Sequence, residues 1–230
     1  MKNYVIAING HTESMKGLQE VRSSNFKVNN SFDLTHFMAA TPSEVDGLMK
    51  KFGIEWNYPW IGEEVDFASG LTKSAYQTAN PKARIACALS HYTCWMECWK
   101  SRQPTLVLEH DALFTSRIDF DIMETGFDIL GINNPLGCTR KAKLYHDKIV
   151  SSKEKYMPVP WIDDMKVPQG LAGNSAYIIT PKGAKHMIDL VKEYGLWPND
   201  ALMCRQLVPR IGVTKKFYTT RQSLKSTTTL

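Results

Sequence analysis

Short apolar runs alternate with longer amphipathic stretches along the 230-residue chain, a pattern of strands each followed by a helix. Asn3 to Ile8 alternates short and β-branched apolar groups and breaks at the turn signal Asn9-Gly10. Glu13 to Val21 then sets Met15, Leu18 and Val21 on one helical face. Phe32 to Phe37 predicts a second short strand, and Thr41-Pro42-Ser43-Glu44 a helix start with Ser43 as its cap, continuing from Val45 to Phe52. Residues 53–80, rich in Trp, Pro, Gly and polar groups without a sustained period, predict a surface loop over the sheet.

The clearest helix runs from about Pro81 to Lys100, where Ile85, Leu89, Tyr92, Met96 and Trp99 recur at the three- and four-residue spacing of a buried stripe, widened by Ala88 and Trp95. Leu106-Val107-Leu108 is a continuous apolar run of buried-strand type that stops abruptly at Glu109-His110-Asp111. Phe127 to Ile132 and Ala176 to Ile179 are further strands. Pro181-Lys182-Gly183 opens a helix through Met187 and Leu190, another helix spans Asp200 to Leu207, and Val213 to Tyr218 supplies the last strand. Residues 135–170 are polar, lysine-bearing and proline-punctuated, with no core pattern, and read as a variable, acceptor-side segment. The Ser/Thr-rich end, residues 223–230, predicts a mobile tail. This alternation argues for one α/β layered domain over residues 1–222.

Composition narrows the class. With 43% hydrophobic and 22% charged residues the chain is an ordinary globular protein, and no run approaches the ~18 apolar residues of a membrane-spanning helix. A cytosolic protein is expected, with a peripheral place on a membrane left open. Five cysteines, three of them (Cys87, Cys94, Cys98) inside one helix, argue against a disulfide framework. A net charge of +5 suits an anionic partner such as a nucleotide phosphate, a membrane surface or nucleic acid.

Two acids one residue apart at the end of a buried strand can hold Mg²⁺ or Mn²⁺ against a diphosphate, since both ions prefer oxygen ligands and keep positions open. Glu109 and Asp111 have that spacing; capping a turn or pairing with lysines would equally account for them. Cys87, His91, Cys94 and Cys98 share a helix face and invite a zinc reading. That reading fails on reach, because Cys87 and Cys98 are separated by about 16 Å of helix axis. Asp119 and Asp121 suit a surface turn, and Asp163-Asp164 can reach acceptor or metal from the variable segment. Gly170, Gly173 and Ser175 permit close backbone approach to a substrate, or simply form turns. The lysines from Lys141 to Lys166, with Tyr145, Tyr156 and Trp161, can line a groove for an anionic acceptor or form a solvated basic loop.

Ala86-Cys87-Ala88-Leu89-Ser90-His91, Trp95 and Pro104-Thr105-Leu106-Val107-Leu108-Glu109-His110-Asp111-Ala112-Leu113-Phe114 resemble the Cys-x-x-Ser-His helix and acidic strand end of family 25 glycosyltransferases, the lipooligosaccharide type. Phe127 to Gly131, Gly173-Asn174-Ser175-Ala176-Tyr177-Ile178-Ile179 and Trp197-Pro198-Asn199-Asp200 resemble later blocks in the same order. His110 replaces the middle acid, Arg84 stands where the family often has Glu, and the usual Leu-x-Arg after the first strand is missing.

The resemblance implies a GT-A-like fold, a mixed, mainly parallel central sheet flanked by helices that binds a nucleotide sugar. It implies Glu109 and Asp111 as ligands of Mn²⁺ or Mg²⁺, with His110 either a further ligand or packed against the neighbouring strand. It also implies Ile8, Asn9, Ser90, His91, Glu109, Asp111, Gly173 and Ser175 as donor contacts, a buried structural histidine being the alternative for His91. Asp200 is the candidate base of an inverting, metal-dependent transfer, and helix capping is its alternative role. The expected reaction moves a hexose from a nucleotide sugar, UDP-galactose or UDP-glucose, to a hydroxyl of a glycan or lipooligosaccharide. Two alternatives remain at this point: the same donor chemistry on hydroxymethylated bases of DNA, and a non-catalytic nucleotide-sugar-binding module. The sequence does not name the oligomeric state.

Overall fold

A computed structural model describes residues 1–138 and 141–224; the expected tail lies outside the described residues from 225 onwards. The elements in chain order are β1 (Lys2–Ala7), α1 (Thr12–Lys27), β2 (Thr35–Met38), α2 (Val45–Phe52), β3 (Glu63–Asp66), β4 (Leu71–Ser74), α3 (Pro81–Ser101), β5 (Thr105–Glu109), β6 (Ala112–Phe114), β7 (Ile129–Gly131), α4 (Ala142–Ser151), β8 (Tyr156–Pro158), β9 (Ala176–Ile179), α5 (Pro181–Tyr194), α6 (Asn199–Leu202), β10 (Ile211–Thr214) and β11 (Thr219–Arg221).

Seven strands form one sheet in the order β2-β1-β5-β9-β7-β10-β8. Strands β2, β1, β5, β7 and β10 run one way, and β9 and β8 run against them. The expected mixed, mainly parallel sheet flanked by helices is borne out. Alternation of side chains sorts its residues into two cores. Ile6, Val107, Tyr177 and Ile179 face α2, α3 and α5, whereas Val5, Ala7, Leu106, Leu108 and Ile178 face α1 and the β6–β11 ribbon. Burying both faces is what a largely parallel sheet requires, and it explains the unbroken apolar runs of β5 and β9.

Local chemistry sets the helix starts. Asn80 caps α3 by accepting from the Ala83 N–H at 3.2 Å with Pro81 in the first turn, and Thr180 does the same for α5 through the Gly183 N–H at 3.0 Å. Gly183 has a packing reason too, since a Cβ there would stand 2.6 Å from the Asp128 carbonyl oxygen.

Several expectations are corrected. Residues 53–80 are not all loop: β3 and β4 pair as an antiparallel hairpin. Residues 135–170 do carry core positions, because α4 buries Tyr145 and Ile149 and β8 joins the sheet edge against β10; three-residue strands are too short to show a period. The last helix ends at Leu202 rather than Leu207, and the final strand splits into β10 and β11. The most buried face of α3 is the one bearing His91, Cys94, Trp95 and Cys98, all fully buried, while Ile85, Met96 and Trp99 are only partly covered. α3 is sandwiched between the sheet and α5, so its polar-looking stripe faces the sheet. Ser43 does not cap α2, whose N-cap residue is Glu44 and which has no side-chain cap.

Candidate active site

The carboxyl ends of the parallel strands β2, β1 and β5 share one sheet edge, and the register sets Ile6 beside Glu109. Beyond β1 the chain leaves for α1 on one side, while β5 flanks it on the other, the kind of switch point at which open α/β sheets form binding crevices. Ile8 is held here by its N–H bond to Ser14 Oγ at 2.8 Å, and Asn9 stands exposed in the turn that follows. Gly17 of α1 lies directly on the β5–β6 turn: a Cβ there would fall 2.4 Å from the His110 carbonyl oxygen. The C-terminal arm closes the same turn. Gln222 donates from its N–H to the Asp111 carbonyl at 2.6 Å and from Nε2 to the His110 carbonyl at 3.2 Å.

A buried hydrogen-bond chain fixes Glu109. Trp95 Nε1 donates to the Tyr177 hydroxyl at 2.9 Å, that hydroxyl lies 2.9 Å from His91 Nδ1, and His91 Nε2 lies 3.1 Å from Glu109 Oε1. Trp can only donate, so the Tyr177 proton goes to Nδ1 and the imidazole proton sits on Nε2, aimed at Glu109. Burial acts to raise the Glu109 pKa, but the His91 bond and the neighbouring positive charges outweigh it and hold the carboxyl below its usual range. Asp111 goes the other way, pushed up to about 7 by burial and then by the Glu109 charge, against which Arg221 at 3.4 Å acts only partly. Below about pH 7 the pair therefore keeps one proton, on Asp111. Its Oδ1 is buried without a partner.

An orphaned carboxylate oxygen beside a second, ionised carboxylate fits the oxygen-ligand preference of a divalent cation. Among the described residues, however, the ligand atoms that lie within 4.8 Å of one another are those of Cys87, His91 and Glu109, not the expected trio with His110 and Asp111. Burial pushes the Cys87 thiol well above its normal pKa, and the His91–Glu109 contact is a hydrogen bond, so this cluster is a protonated network. His110 is itself pushed down, chiefly by burial, against the Glu109 charge.

The second half of the site lies past β9 and at α6. Gly173 takes a left-handed φ of +73°, and a Cβ on it would meet Asn133 Nδ2 at 2.6 Å and Cys138 Sγ at 2.9 Å. Ser175 is buried and its carbonyl accepts from the Glu109 N–H at 2.8 Å, which ties the two halves together. Ser90 is buried too, and its hydroxyl accepts from the Ala40 N–H at 2.9 Å after β2. Asp200 sits in the first turn of α6, behind the N-cap residue Pro198, and its carboxylate accepts from its own backbone N–H. Burial foremost, with Glu109 adding, raises its pKa, while Arg84 and a hydrogen bond from Tyr76 oppose the rise.

Asp200 lines a cavity of about 420 Å³ with Tyr58, Tyr76, Arg84, Gly170 and Gly173. Tyr58 and Tyr76 stack there at 5.8 Å. Gly170 is required by this packing, since a Cβ would come within 2.0 Å of the Asp200 carbonyl oxygen. One face of α3 links both halves, with Arg84, Cys87 and His91 at successive turns; the Cys87 thiol feels the charges of Glu109, Arg84, Asp200 and Asp111. Asp119 and Asp121 are structural, the former bonded to Lys216 at 2.8 Å and the latter capping a short 3₁₀ turn. In the basic segment Lys141 pairs with Asp163 at 2.7 Å and Lys143 with Asp147 at 2.8 Å.

Sequence reasoning did not single out Tyr76, Tyr177 or Arg221. Tyr177 is an apolar-looking member of a strand, and only the fold turns its hydroxyl towards His91. Tyr76 comes from an aperiodic stretch, and Arg221 is delivered by the β6–β11 pairing.

No curated protein matches the chain in sequence. Among solved structures, the galactosyltransferase LgtC in complex with donor and acceptor sugar analogues is 10% identical with a TM-score of 0.43, over 93% of this chain and 73% of that one. Mouse xyloside xylosyltransferase 1 in its apo form is 11% identical with a TM-score of 0.42, over 92% of this chain and 84% of that one. Likeness this shallow carries no argument about the site. The sequence pattern of glycosyltransferase family 25 (LPS biosynthesis protein) matches residues 1–203. A match over that much of the chain settles its family: the protein is a member of glycosyltransferase family 25, and its chemistry is the transfer of a sugar.

Proposed function

We propose that the protein moves a hexose from a UDP-sugar, UDP-galactose or UDP-glucose, to a hydroxyl of a glycan or lipooligosaccharide acceptor, with inversion and with dependence on Mn²⁺ or Mg²⁺. The observation that carries this reading is the pairing, along one face of α3, of an acidic strand end having an orphaned carboxylate oxygen with a separate buried acid facing a cavity. Glu109 and Asp111 would hold the ion, and bound there it supplies positive charge to the departing diphosphate. Ile8 and Asn9, at the adjoining strand end, suit contacts to the nucleotide, and Ser175, whose carbonyl bonds the Glu109 N–H, stands beside the same turn, while Gly173 lines the Asp200 cavity and falls on the acceptor side.

Asp200 is the group that takes the proton of the acceptor hydroxyl. Its raised pKa makes the ionised carboxylate a stronger base than an exposed aspartate, and Tyr76 holds it in place. The tyrosine pair Tyr58 and Tyr76 offers apolar faces to a sugar ring, and the walls of the cavity limit competition from water. His91 acts on the chemistry through Glu109, by fixing where that carboxylate points.

Transfer and donor hydrolysis with UDP-galactose, UDP-glucose and their N-acetyl forms, with and without Mn²⁺, test the proposal. Asp200→Asn should keep UDP binding and lose transfer by ~10²-fold or more. Asp111→Ala should lose the metal-dependent part of donor binding. Wild-type turnover from both variants would overturn the assignment of these residues.

A further inference from the structure

Arg84 has no role in the chemistry described so far. It stands in the first turn of α3 and lines the same cavity as Asp200, yet among the described residues it makes no ion pair within 4.0 Å. Its guanidinium lies 5.1 Å from the centre of the Tyr76 ring, one terminal nitrogen reaches the Gln77 carbonyl at 3.4 Å, and its Nε is buried with no hydrogen-bond partner. Tyr76 separates it from the base: the ring face takes the guanidinium while the hydroxyl bonds Asp200. An always-charged group with an unsatisfied buried donor, pinned by stacking against a cavity wall, is arranged to receive an anion from outside the chain.

We infer that Arg84 makes this enzyme selective for an acceptor sugar that carries a carboxylate or phosphate, held on the guanidinium while its hydroxyl meets Asp200. The inference rests on the glycosyl-transfer reading above. The cavity lined by Arg84 and Asp200 does not include Glu109 or Asp111, so the anion it takes belongs on the acceptor side of the site rather than to the donor diphosphate. Asp200 carries negative charge beside the same cavity, and it is the stacked Tyr76 that lets the two opposite charges remain apart and each serve the acceptor.

Binding isolates the claim from turnover. The full chain, with UDP and Mn²⁺ present, is titrated calorimetrically with methyl galactoside, methyl galacturonide, methyl glucuronide and galactose 6-phosphate, and UDP binding is measured separately. At least one anionic probe should bind the wild type about 10- to 100-fold more tightly than the neutral galactoside, the range of a charge-assisted hydrogen-bonded contact. Arg84→Gln should abolish that preference and Arg84→Glu reverse it. Arg84→Lys, which keeps the charge but not the planar fork, should retain part of it, and all three should leave UDP affinity unchanged.

Equal binding of charged and neutral probes by the wild type overturns the inference, as does a loss of UDP affinity in Arg84→Gln with probe preference intact, which would assign the guanidinium to the diphosphate. If UDP itself does not bind while the anionic preference and its loss in Arg84→Gln hold, the donor reading falls and the acceptor assignment stands.

Discussion

The proton shared by Glu109 and Asp111 gives a measurable dependence of stability on pH in metal-free protein. Asp111 titrates at about 7 in the fold against 3.8 in the open chain, because burial and the ionised Glu109 disfavour its charge. Its folded pKa is raised, so between those two values the folded state holds a proton that the unfolded state has released. Stability therefore falls as pH rises, by about 1.4 kcal/mol per pH unit, and levels off above the folded pKa. From pH 5.5 to 8 this one group removes roughly 2 kcal/mol, or about 4–8 °C of melting temperature for a domain of this size. Asp111→Asn cannot ionise and should lack that decline. Thermal unfolding of both proteins in chelator across this range reads the difference, in which Asp200, His110 and every other titrating group cancel. Mn²⁺ should stabilise the wild type more at pH 8 than at pH 5.5, since the ion must displace the proton, and should do little for the variant. Parallel melting curves for wild type and variant would refute the reasoning.

Tyr177→Phe removes the hydroxyl that joins Trp95 to His91 and leaves a buried indole N–H without a partner; urea unfolding should show a loss of about 2–4 kcal/mol with an unchanged m-value, and transfer should fall because Glu109 is no longer oriented. Gly170→Ala forces its Cβ against the Asp200 carbonyl oxygen, 2.0 Å away, and should lower stability by about 1–3 kcal/mol while depressing kcat more than UDP affinity, as read by steady-state kinetics beside UDP titration. The acidic limb of the pH–rate profile should lie above the ordinary aspartate range, because Asp200 is raised by burial, and a limb at or below that range would count against Asp200 as the base.

Periodicity alone determined the larger elements of this protein. α3 is bounded by its Asn80 cap and Pro81 to within a residue of the expected end, and β1, β5 and β9 stand where their apolar runs stand. Those signals are local: a cap, a helical spacing, a run buried on both faces. The chemistry was legible only as candidates, since Glu109, Asp111 and Asp200 are acids at an abrupt strand end and in a Pro-x-Asp turn, and nothing in their spacing says that Glu109 is held low by its His91 bond and nearby positive charges while Asp111 is pushed up by burial and the Glu109 charge. That is decided by Tyr177 and His91, which are 86 residues apart and meet only because β9 lies antiparallel to β5 under α3. The three-residue strands β6, β8 and β11 were invisible because so short a segment has no period and gains its hydrogen bonds wholly from distant partners. Arg221 reaches Asp111 through such a pairing, and Arg84 comes to share a cavity with Asp200 only once the loop carrying Tyr76 folds over the helix start. Local sequence fixes where a helix or buried strand can be; which charges share a low-dielectric pocket depends on contacts between segments far apart in the chain, and only the tertiary structure decides those.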